Sequence, residues 1–291
     1  MIEEGANQKQ HWWPWKVSGR RAAVRHGAHA AQRLRSEEAC KRHIKDVLPT
    51  AGNHRENIFM ARKRDPDDEV DHFVTAVGAS LDVWERTQTA LAASDLELRK
   101  VASLDAFVRS AVEWEGFRSR WQIAAINRDS SAYRVDVESR LRASIKGGRF
   151  GELEAFVHLA LPAQLSLTTV QRLLDPSGRN ISFVDKWTDR ARAELPAQYA
   201  TKVLSLSLAD LLLVTACEKI RNAIVHRSPG SVDEMNTALV ALDSTIDAEL
   251  VRTSRVTGTG IPAYLHARPL SDRRIEIWHR RLLEVAGRLR T

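Results

Sequence analysis

Apolar residues recur every three or four positions along much of the chain, which is the spacing of one face of an α-helix. This pattern predicts a helix over residues 68–92 and a second helix after Ser94-Asp95. No run of alternating apolar and polar residues is long enough to indicate a strand, so the sequence predicts an all-α fold. Further helices are predicted over residues 135–145 and 153–161, and from Ser166 to the turn Asp175-Pro176-Ser177-Gly178.

The apolar stripes of the first two predicted helices indicate which of their faces meet the core. On the second helix, Arg109 and Glu113 are expected to point outward. The first stripe contains Val70, Phe73, Val74, Val77, Leu81 and Trp84, and the second contains Leu98, Val101, Leu104, Phe107, Val108, Ala111, Val112 and Trp114.

The most regular pattern lies between residues 204 and 250 and predicts two helices that pack as an antiparallel pair. Ser228-Pro229-Gly230 separates them, and Ser231 with Glu234 has the spacing of a capping box at the start of the second. The apolar positions around Leu208 and Leu239 are candidates for either the core or a subunit interface. The first stripe is Leu204, Leu208, Leu211, Leu212, Thr215, Ile220 and Ile224, and the second is Leu239, Leu242, Ile246 and Leu250.

A last amphipathic helix is predicted near the C-terminus, where Ser271 is a candidate N-cap. Such a helix can pack back on the domain, or it can serve as an arm that guides RNA or binds a partner protein. Its apolar face contains Ile275, Trp278, Leu282, Val285 and Leu289, while Arg273, Arg274, Arg280, Arg281 and Arg288 occupy the remaining faces.

The predicted organisation has three parts: residues 1–59, 60–252 and 253–291. The first is basic, contains Trp12, Trp13 and Trp15, and lacks a sustained apolar stripe, so we expect little order there. Alternatively, its tryptophans and arginines form a stacking surface for RNA. Met60 is also a possible start of the domain. The second part is the helical domain, and the third is the basic amphipathic helix.

Net charge is unevenly distributed along the chain, which carries +7 overall. Residues 1–59 hold 11 Lys/Arg against 6 Asp/Glu, and residues 251–291 hold 9 against 3, which leaves the middle near −4. A polyanion such as RNA is therefore an expected partner. Bulk attraction would come from the two ends, whereas the middle must act through individually placed residues.

Cysteine and histidine content argues against disulfides and metal sites. The two cysteines, Cys40 and Cys217, are far apart, and neither belongs to a Cys-x-x-Cys pair. His26, His29 and His43 do not form a convincing metal set, because no carboxylate or cysteine at a suitable spacing completes a site. We therefore expect no metal and no cofactor, and free thiols suit a reducing cytoplasm.

Membrane and secretory segments are not expected either. The first ten residues lack the positive-then-apolar order of a secretory signal. The most apolar run, residues 203–217, is short and contains Asp210, so no membrane association is predicted.

One short motif suggests catalysis. Arginine is followed five positions later by histidine three times, at Arg21, Arg221 and Arg274, so this spacing alone is uninformative. Only Arg221 is followed directly by a polar residue, Asn222, and only its pair ends a long apolar helix before a turn. The stretch Arg221-Asn222-Ala223-Ile224-Val225-His226 is therefore the candidate site. In the alternative interpretation, His226 is an ordinary residue at a helix end and Arg221 a solvated charge.

This arrangement resembles the HEPN superfamily, of the RiboL-PSP/MAE endoribonuclease type, whose signature is Arg, a polar residue, a few positions and then His between two core helices. The resemblance extends more loosely over residues 68–252, where residues 104–108 resemble the family's early core helix, and it covers neither end. It implies an up-and-down helical bundle, here with helical N- and C-terminal appendages. Arg227 departs from the many members that have a small residue after the histidine.

The chemistry of RNA cleavage gives these residues roles. Without a metal, the 2′-hydroxyl must be activated, the leaving 5′-oxygen protonated and the phosphorane charge stabilised. An imidazole such as that of His226 can transfer the protons, whereas the Arg221 guanidinium suits the phosphate. Asn222 can orient either the imidazole or the substrate, and Arg227 is expected to contact RNA. The resemblance further implies a homodimer that supplies a second Arg and His to one cleft.

The motif and the resemblance together imply a cytoplasmic, metal-independent endoribonuclease. The resemblance further implies a role in a toxin or anti-phage defence system, with an antitoxin or another defence component as a possible partner. One alternative is a non-catalytic HEPN module that binds RNA or a partner protein, because fold does not guarantee chemistry. Another is a DNA-binding regulator, which only the charge and the helices suggest.

Overall fold

The computed structural model describes residues 64–148, 152, 161–174, 186–243, 249–250, 252 and 254–291, and all structural statements concern these residues. They contain helices and no strand, so the predicted all-α class is confirmed. The chain divides into two units, and all described residues belong to the second, Met60–Thr291. Predictions for residues 1–59, Met60, 153–160 and Ile246 lie outside the described residues. The helices are α1 Pro66–Ala90, α2 Leu96–Arg128, α3 Ser131–Lys146, α4 Leu167–Leu174, α5 Trp187–Glu194, α6 Ala197–Leu204, α7 Leu208–His226, α8 Pro229–Asp243, α9 Ile261–His266 and α10 Arg274–Arg288.

Helices α1 and α2 form the centre of the core. Asp65 caps α1 by accepting a hydrogen bond from the Asp67 amide at 3.0 Å, and Pro66 takes the first helical position, where no amide is needed. The ring of Phe73 on α1 stacks on Phe117 of α2, with ring centroids 4.8 Å apart. The same ring meets Trp114 edge-on at 5.5 Å, so the two helices share an aromatic core.

The predicted inner face of α2 is partly wrong. Leu98, Val101 and Val112 are exposed, whereas the small polar residues Ser103 and Ser110 are buried. The physical reason is that both serines have buried polar partners on C-terminal helices. These contacts set which side of α2 turns inward, because a buried hydroxyl without a partner would be costly.

Two serine–histidine contacts link α2 to the C-terminal helices. Ser110 Oγ lies 2.6 Å from His279 Nε2, and His279 Nδ1 lies 2.7 Å from the Ile275 carbonyl oxygen. Ser103 Oγ lies 3.0 Å from His266 Nδ1 and accepts a hydrogen bond from Trp84 Nε1 at 3.0 Å. Both imidazoles thus have partners inside the protein.

The predicted helix through Leu204 and Leu208 is two helices, α6 and α7. Ser207 begins α7 with a capping box, because its hydroxyl accepts from the Asp210 amide at 3.1 Å and Asp210 accepts from the Ser207 amide at 2.9 Å. The chain therefore bends at residues 205–207, although the apolar pattern continues across the break.

Helices α7 and α8 pack against each other as a hairpin, as predicted. Arg227 ends α7 in the left-handed region, with φ of 51°. The predicted capping box of Ser231 and Glu234 is wrong. Ser228 instead accepts a hydrogen bond from the Ser231 amide at 3.2 Å, and Glu234 pairs with Lys219 on α7 at 2.9 Å. The reason is that α8 already begins at Pro229.

Helix α10 is an integral part of the core. Its predicted apolar face, Ile275 to Leu289, is buried, and the helix contacts α1, α2, α7 and α9. Ser271 is not its N-cap, since Arg273 occupies that position and its amide donates to Glu276. The predicted outward placement of Arg274 is also wrong. Its guanidinium lies 4.6 Å from the centre of the Tyr264 ring and donates to the Tyr264 carbonyl, so Arg274 is buried.

The remaining arginines of α10 are paired within the protein. Arg280 pairs with Asp272 at 2.8 Å and Arg281 with Glu284 at 2.6 Å, while Arg288 pairs with Asp210 of α7. The helix therefore presents less free positive charge than its sequence indicates.

Among the described residues, no one helix has both the length and the apolar character needed to cross a bilayer. Helices α6 and α7 reach that length and apolar character only when they are taken together, and the chain bends by 82° between them.

Acid is expected to weaken the fold through His279. Burial lowers the pKa of His279 to about 4, so the unfolded chain, with an ordinary pKa near 6.5, takes up a proton first as pH falls. The uncharged His279 therefore contributes its full share to the free energy of unfolding above about pH 6.5. About 3 kcal/mol of that free energy is lost as the pH falls from about 6.5 to 4. In urea denaturation, the free energy of unfolding of His279→Gln should therefore fall less between pH 7 and pH 4 than that of the parent protein.

The exposed Leu98 supplies the control for this measurement. Leu98→Gln changes no titratable group and should retain the parental dependence of unfolding free energy on pH. An unchanged decline in His279→Gln would contradict the assignment.

Candidate functional site at the end of α7

Two ion pairs cross between α2 and α7. Glu115 Oε2 on α2 lies 3.4 Å from Arg221 Nη2 on α7, and Arg118 Nη2 lies 3.5 Å from Glu218 Oε2. Each helix carries Glu and Arg three positions apart, which places both side chains on one face. The earlier residue of the α2 pair, Glu115, meets the later residue of the α7 pair, Arg221, and Arg118 meets Glu218. The two segments therefore run antiparallel. We call Glu115, Arg118, Glu218 and Arg221 the charge quartet.

Arg118 is the buried member of the charge quartet. It is 1% exposed, and its guanidinium carbon lies 5.6 Å from the centre of the Trp187 ring. Burial lowers its pKa below the ordinary value, against the opposing influence of Glu218 and Glu115. Within the described residues, its Nε and Nη1 atoms have no hydrogen-bond partner. The ion pair with Glu218 therefore provides much of the compensation for this buried charge.

Arg221 is held from two sides. Its Nη2 faces Glu115 across the helix interface, and its Nη1 donates to the Asn222 side-chain oxygen at 2.9 Å. Its Nε is buried without a hydrogen-bond partner in the described part of the chain. The guanidinium thus has a defined orientation, with one edge directed toward the helix face that carries Asn222.

His226 is the last residue of α7 and is exposed. It is four residues after Asn222 and so lies on the same face, whereas Arg221 lies roughly 140° around the helix from it. No hydrogen bond or ion pair joins His226 to a described residue. A hydrogen bond therefore links Arg221 to Asn222, while His226 is exposed to solvent on the helix face that carries Asn222. We call these three residues the polar strip.

A groove of about 580 Å³ lies beside the polar strip. Ala223, Ile224 and Arg227 at the end of α7 form one wall, and Arg255 with the segment Thr257 to Pro262 forms much of the other. Its two arginines differ in their partners: Arg255 pairs with Asp233 of α8, whereas Arg227 makes no side-chain contact with a described residue that would neutralise it.

Sequence reasoning missed Glu115 and Arg255. The signal for Glu115 was the repeated Glu-x-x-Arg spacing at residues 115–118 and 218–221, which acquires meaning only when the helices are known to touch. Arg255 lies in a connecting segment without periodicity, so no pattern linked it to Arg227.

The other Arg–His pairs do not form comparable sites. Arg274 and His279 are buried in separate packing roles, and the pair Arg21 and His26 lies outside the described residues. In the described ranges, no three His, Cys, Asp or Glu side chains come close enough to hold a metal ion.

The two apolar positions that the sequence left open between core and interface differ in their burial. Leu239 is fully buried, whereas Leu208 is 65% exposed. Leu208 and His226 are 18 residues apart, which is five helical turns, so both lie on one face of α7. Val225, between Arg221 and His226, is also 54% exposed. This side of α7 therefore combines open apolar positions with the polar strip.

Comparison of the chain with protein-family models, curated proteins and solved structures found no match.

Removing Glu218 should destabilise the protein through Arg118. Glu218→Gln leaves a buried guanidinium without its ion pair, and the expected loss in free energy of unfolding is about 3 kcal/mol. The exposed pair of Arg109 and Asp105 provides a control, since Asp105→Asn should cost less than about 1 kcal/mol. Urea denaturation measures both.

A double variant identifies the cause of that loss. Arg118→Met with Glu218→Gln removes the buried charge and should recover most of the stability. A single variant Glu218→Gln as stable as the parent would refute this role of the charge quartet.

Proposed function

We propose that the protein is a metal-independent, HEPN-type endoribonuclease that acts as a homodimer in the cytoplasm, as a toxin or anti-phage effector. The observation that supports this proposal is the polar strip. A partly buried, oriented guanidinium lies next to an amide, and an exposed imidazole follows on the amide's face at a helix end.

The chemistry proceeds by attack of the RNA 2′-oxygen on the adjacent phosphorus. One imidazole takes the 2′-hydroxyl proton, and a protonated imidazole gives a proton to the 5′-oxygen as the phosphorus–oxygen bond breaks. The products are a 2′,3′-cyclic phosphate and a 5′-hydroxyl. Arg221 donates to the phosphorane oxygens, whose negative charge grows in the transition state, and Asn222 holds the guanidinium in place.

Glu115 has a positioning role in this scheme. Its carboxylate fixes one edge of Arg221, so the guanidinium loses less conformational freedom when it binds a phosphate. The same ion pair also neutralises part of the arginine's charge. This favours a second candidate function, a non-catalytic module in which Arg221 serves structure and the exposed surface binds RNA or a partner protein.

Cleavage in excess EDTA tests the first function. Purified protein should cut single-stranded RNA and leave a 2′,3′-cyclic phosphate, and Arg221→Ala or His226→Ala should each slow cutting at least about 100-fold. Gel analysis of end-labelled RNA measures the rate, and circular dichroism confirms folding. His72→Ala removes another exposed histidine and should cut at the parental rate.

Intact RNA after incubation with the parent protein, with binding that survives His226→Ala, would support the non-catalytic module instead. Cleavage that persists in both site variants would contradict the proposed site.

Dimerisation is proposed to use the exposed side of α7. A two-fold interface there would place two copies of the polar strip in one cleft and supply the second imidazole. Leu208→Glu should convert a dimer into a monomer and reduce cutting, because a charge on that face opposes association. Light scattering after size-exclusion chromatography measures the mass.

Leu98→Glu offers a matched control, because Leu98 is a similarly exposed leucine on α2. It should leave both mass and cutting unchanged. A parent protein that is monomeric and still cuts RNA would refute the dimer.

A further inference from the structure

The groove beside the polar strip combines features that suit a nucleotide. Its apolar lining includes Leu104, Ile224 and Ile261, while Arg227 and Arg255 contribute positive charge. A nucleotide combines a base, whose planar faces are apolar, with a negatively charged phosphate a short distance away. Its binding site therefore needs an apolar surface next to a positively charged one. The volume, about 580 Å³, is typical of a small-ligand site.

Arg227 provides an independent observation. It adopts φ of 51°, and it is the one non-glycine residue with positive φ in the described part of the chain. A left-handed helix end normally favours glycine, because a side chain there is unfavourable. An arginine kept in this conformation, exposed and with no neutralising carboxylate among the described residues, suggests that its side chain serves binding.

Arg255 completes the charged part of the groove. It pairs with Asp233, but both side chains are largely exposed, so a phosphate can compete for the guanidinium. Arg227 follows His226 directly, and Ala223 and Ile224 belong to the candidate motif itself. The groove therefore lies at the same end of α7 as the polar strip, although none of the three residues of the strip lines it.

We propose that this groove is a nucleotide subsite for single-stranded RNA, in which Arg227 and Arg255 bind the phosphate and the apolar lining receives the base. This assignment rests on the proposed function, since the bound nucleotide would flank the phosphodiester at the polar strip. A single strand is required because a base in a duplex is stacked and paired and cannot enter a groove.

Binding of an RNA that cannot be cut separates this subsite from catalysis. A fluorescent single-stranded RNA with 2′-O-methyl groups at every position lacks the attacking hydroxyl, and its affinity is measured by anisotropy. Arg227→Gly should weaken binding roughly tenfold. The same variant should raise Tm by about 2–4 °C, because glycine relieves the left-handed conformation.

Matched variants control for charge and conformation. Arg227→Lys keeps the charge that attracts the phosphate and should bind within about threefold of the parent. Arg255→Gln should weaken binding roughly fivefold. Arg86 on α1 is likewise exposed and paired with an aspartate, Asp82, so Arg86→Gln should leave binding unchanged.

The outcomes distinguish the subsite from the nuclease. If the parent protein cuts no RNA but Arg227→Gly and Arg255→Gln still weaken binding selectively, the subsite stands and the catalytic proposal fails. If Arg227→Gly is more stable yet binds as the parent does, the subsite fails while cleavage can remain. No binding by the parent, or equal affinity for duplex DNA, also overturns the subsite.

Discussion

The buried charge of Arg118 constrains how α7 lies on α2. A guanidinium with so little solvent contact needs an acidic partner, and Glu218 on α7 provides it. That contact sets the register of the two helices, and the register in turn brings Glu115 to Arg221. The orientation of the arginine in the polar strip therefore depends on an ion pair one helical turn away.

The end of α7 exposes part of the candidate site to solvent. Arg227 stops the helix in a left-handed conformation, and Pro229 starts α8 after a very short connection. Helix α7 thus ends with His226 exposed, while Ala223, Ile224 and Arg227 around it in sequence line the groove. A longer connection would separate these features, so the tight turn is what gathers them at one end of the hairpin.

The histidines show how one residue type takes different roles in one protein. His266 and His279 lie against serines of α2, and burial lowers the pKa of each to about 4. Their uncharged rings help to attach the C-terminal helices to the core. His226 differs because it is open to solvent and has no described partner, which is why it remains the candidate for proton transfer.

The sequence by itself determined the all-α class, the inner face of α1 apart from the exposed Val74, the apolar face of α10, and the place of the Arg-Asn-x3-His stretch at a helix end before a turn. These features are local, because a helix must bury its apolar stripe whatever it packs against. Tertiary structure decided that Ser103 and Ser110 are buried while Leu98 is exposed, that Arg221 meets Glu115, and that Arg227 and Arg255 share a groove. The physical reason is that these depend on partners distant in sequence, such as Ser110 and His279, which are 169 residues apart. Helical periodicity carries no information about which distant residue satisfies a buried polar group.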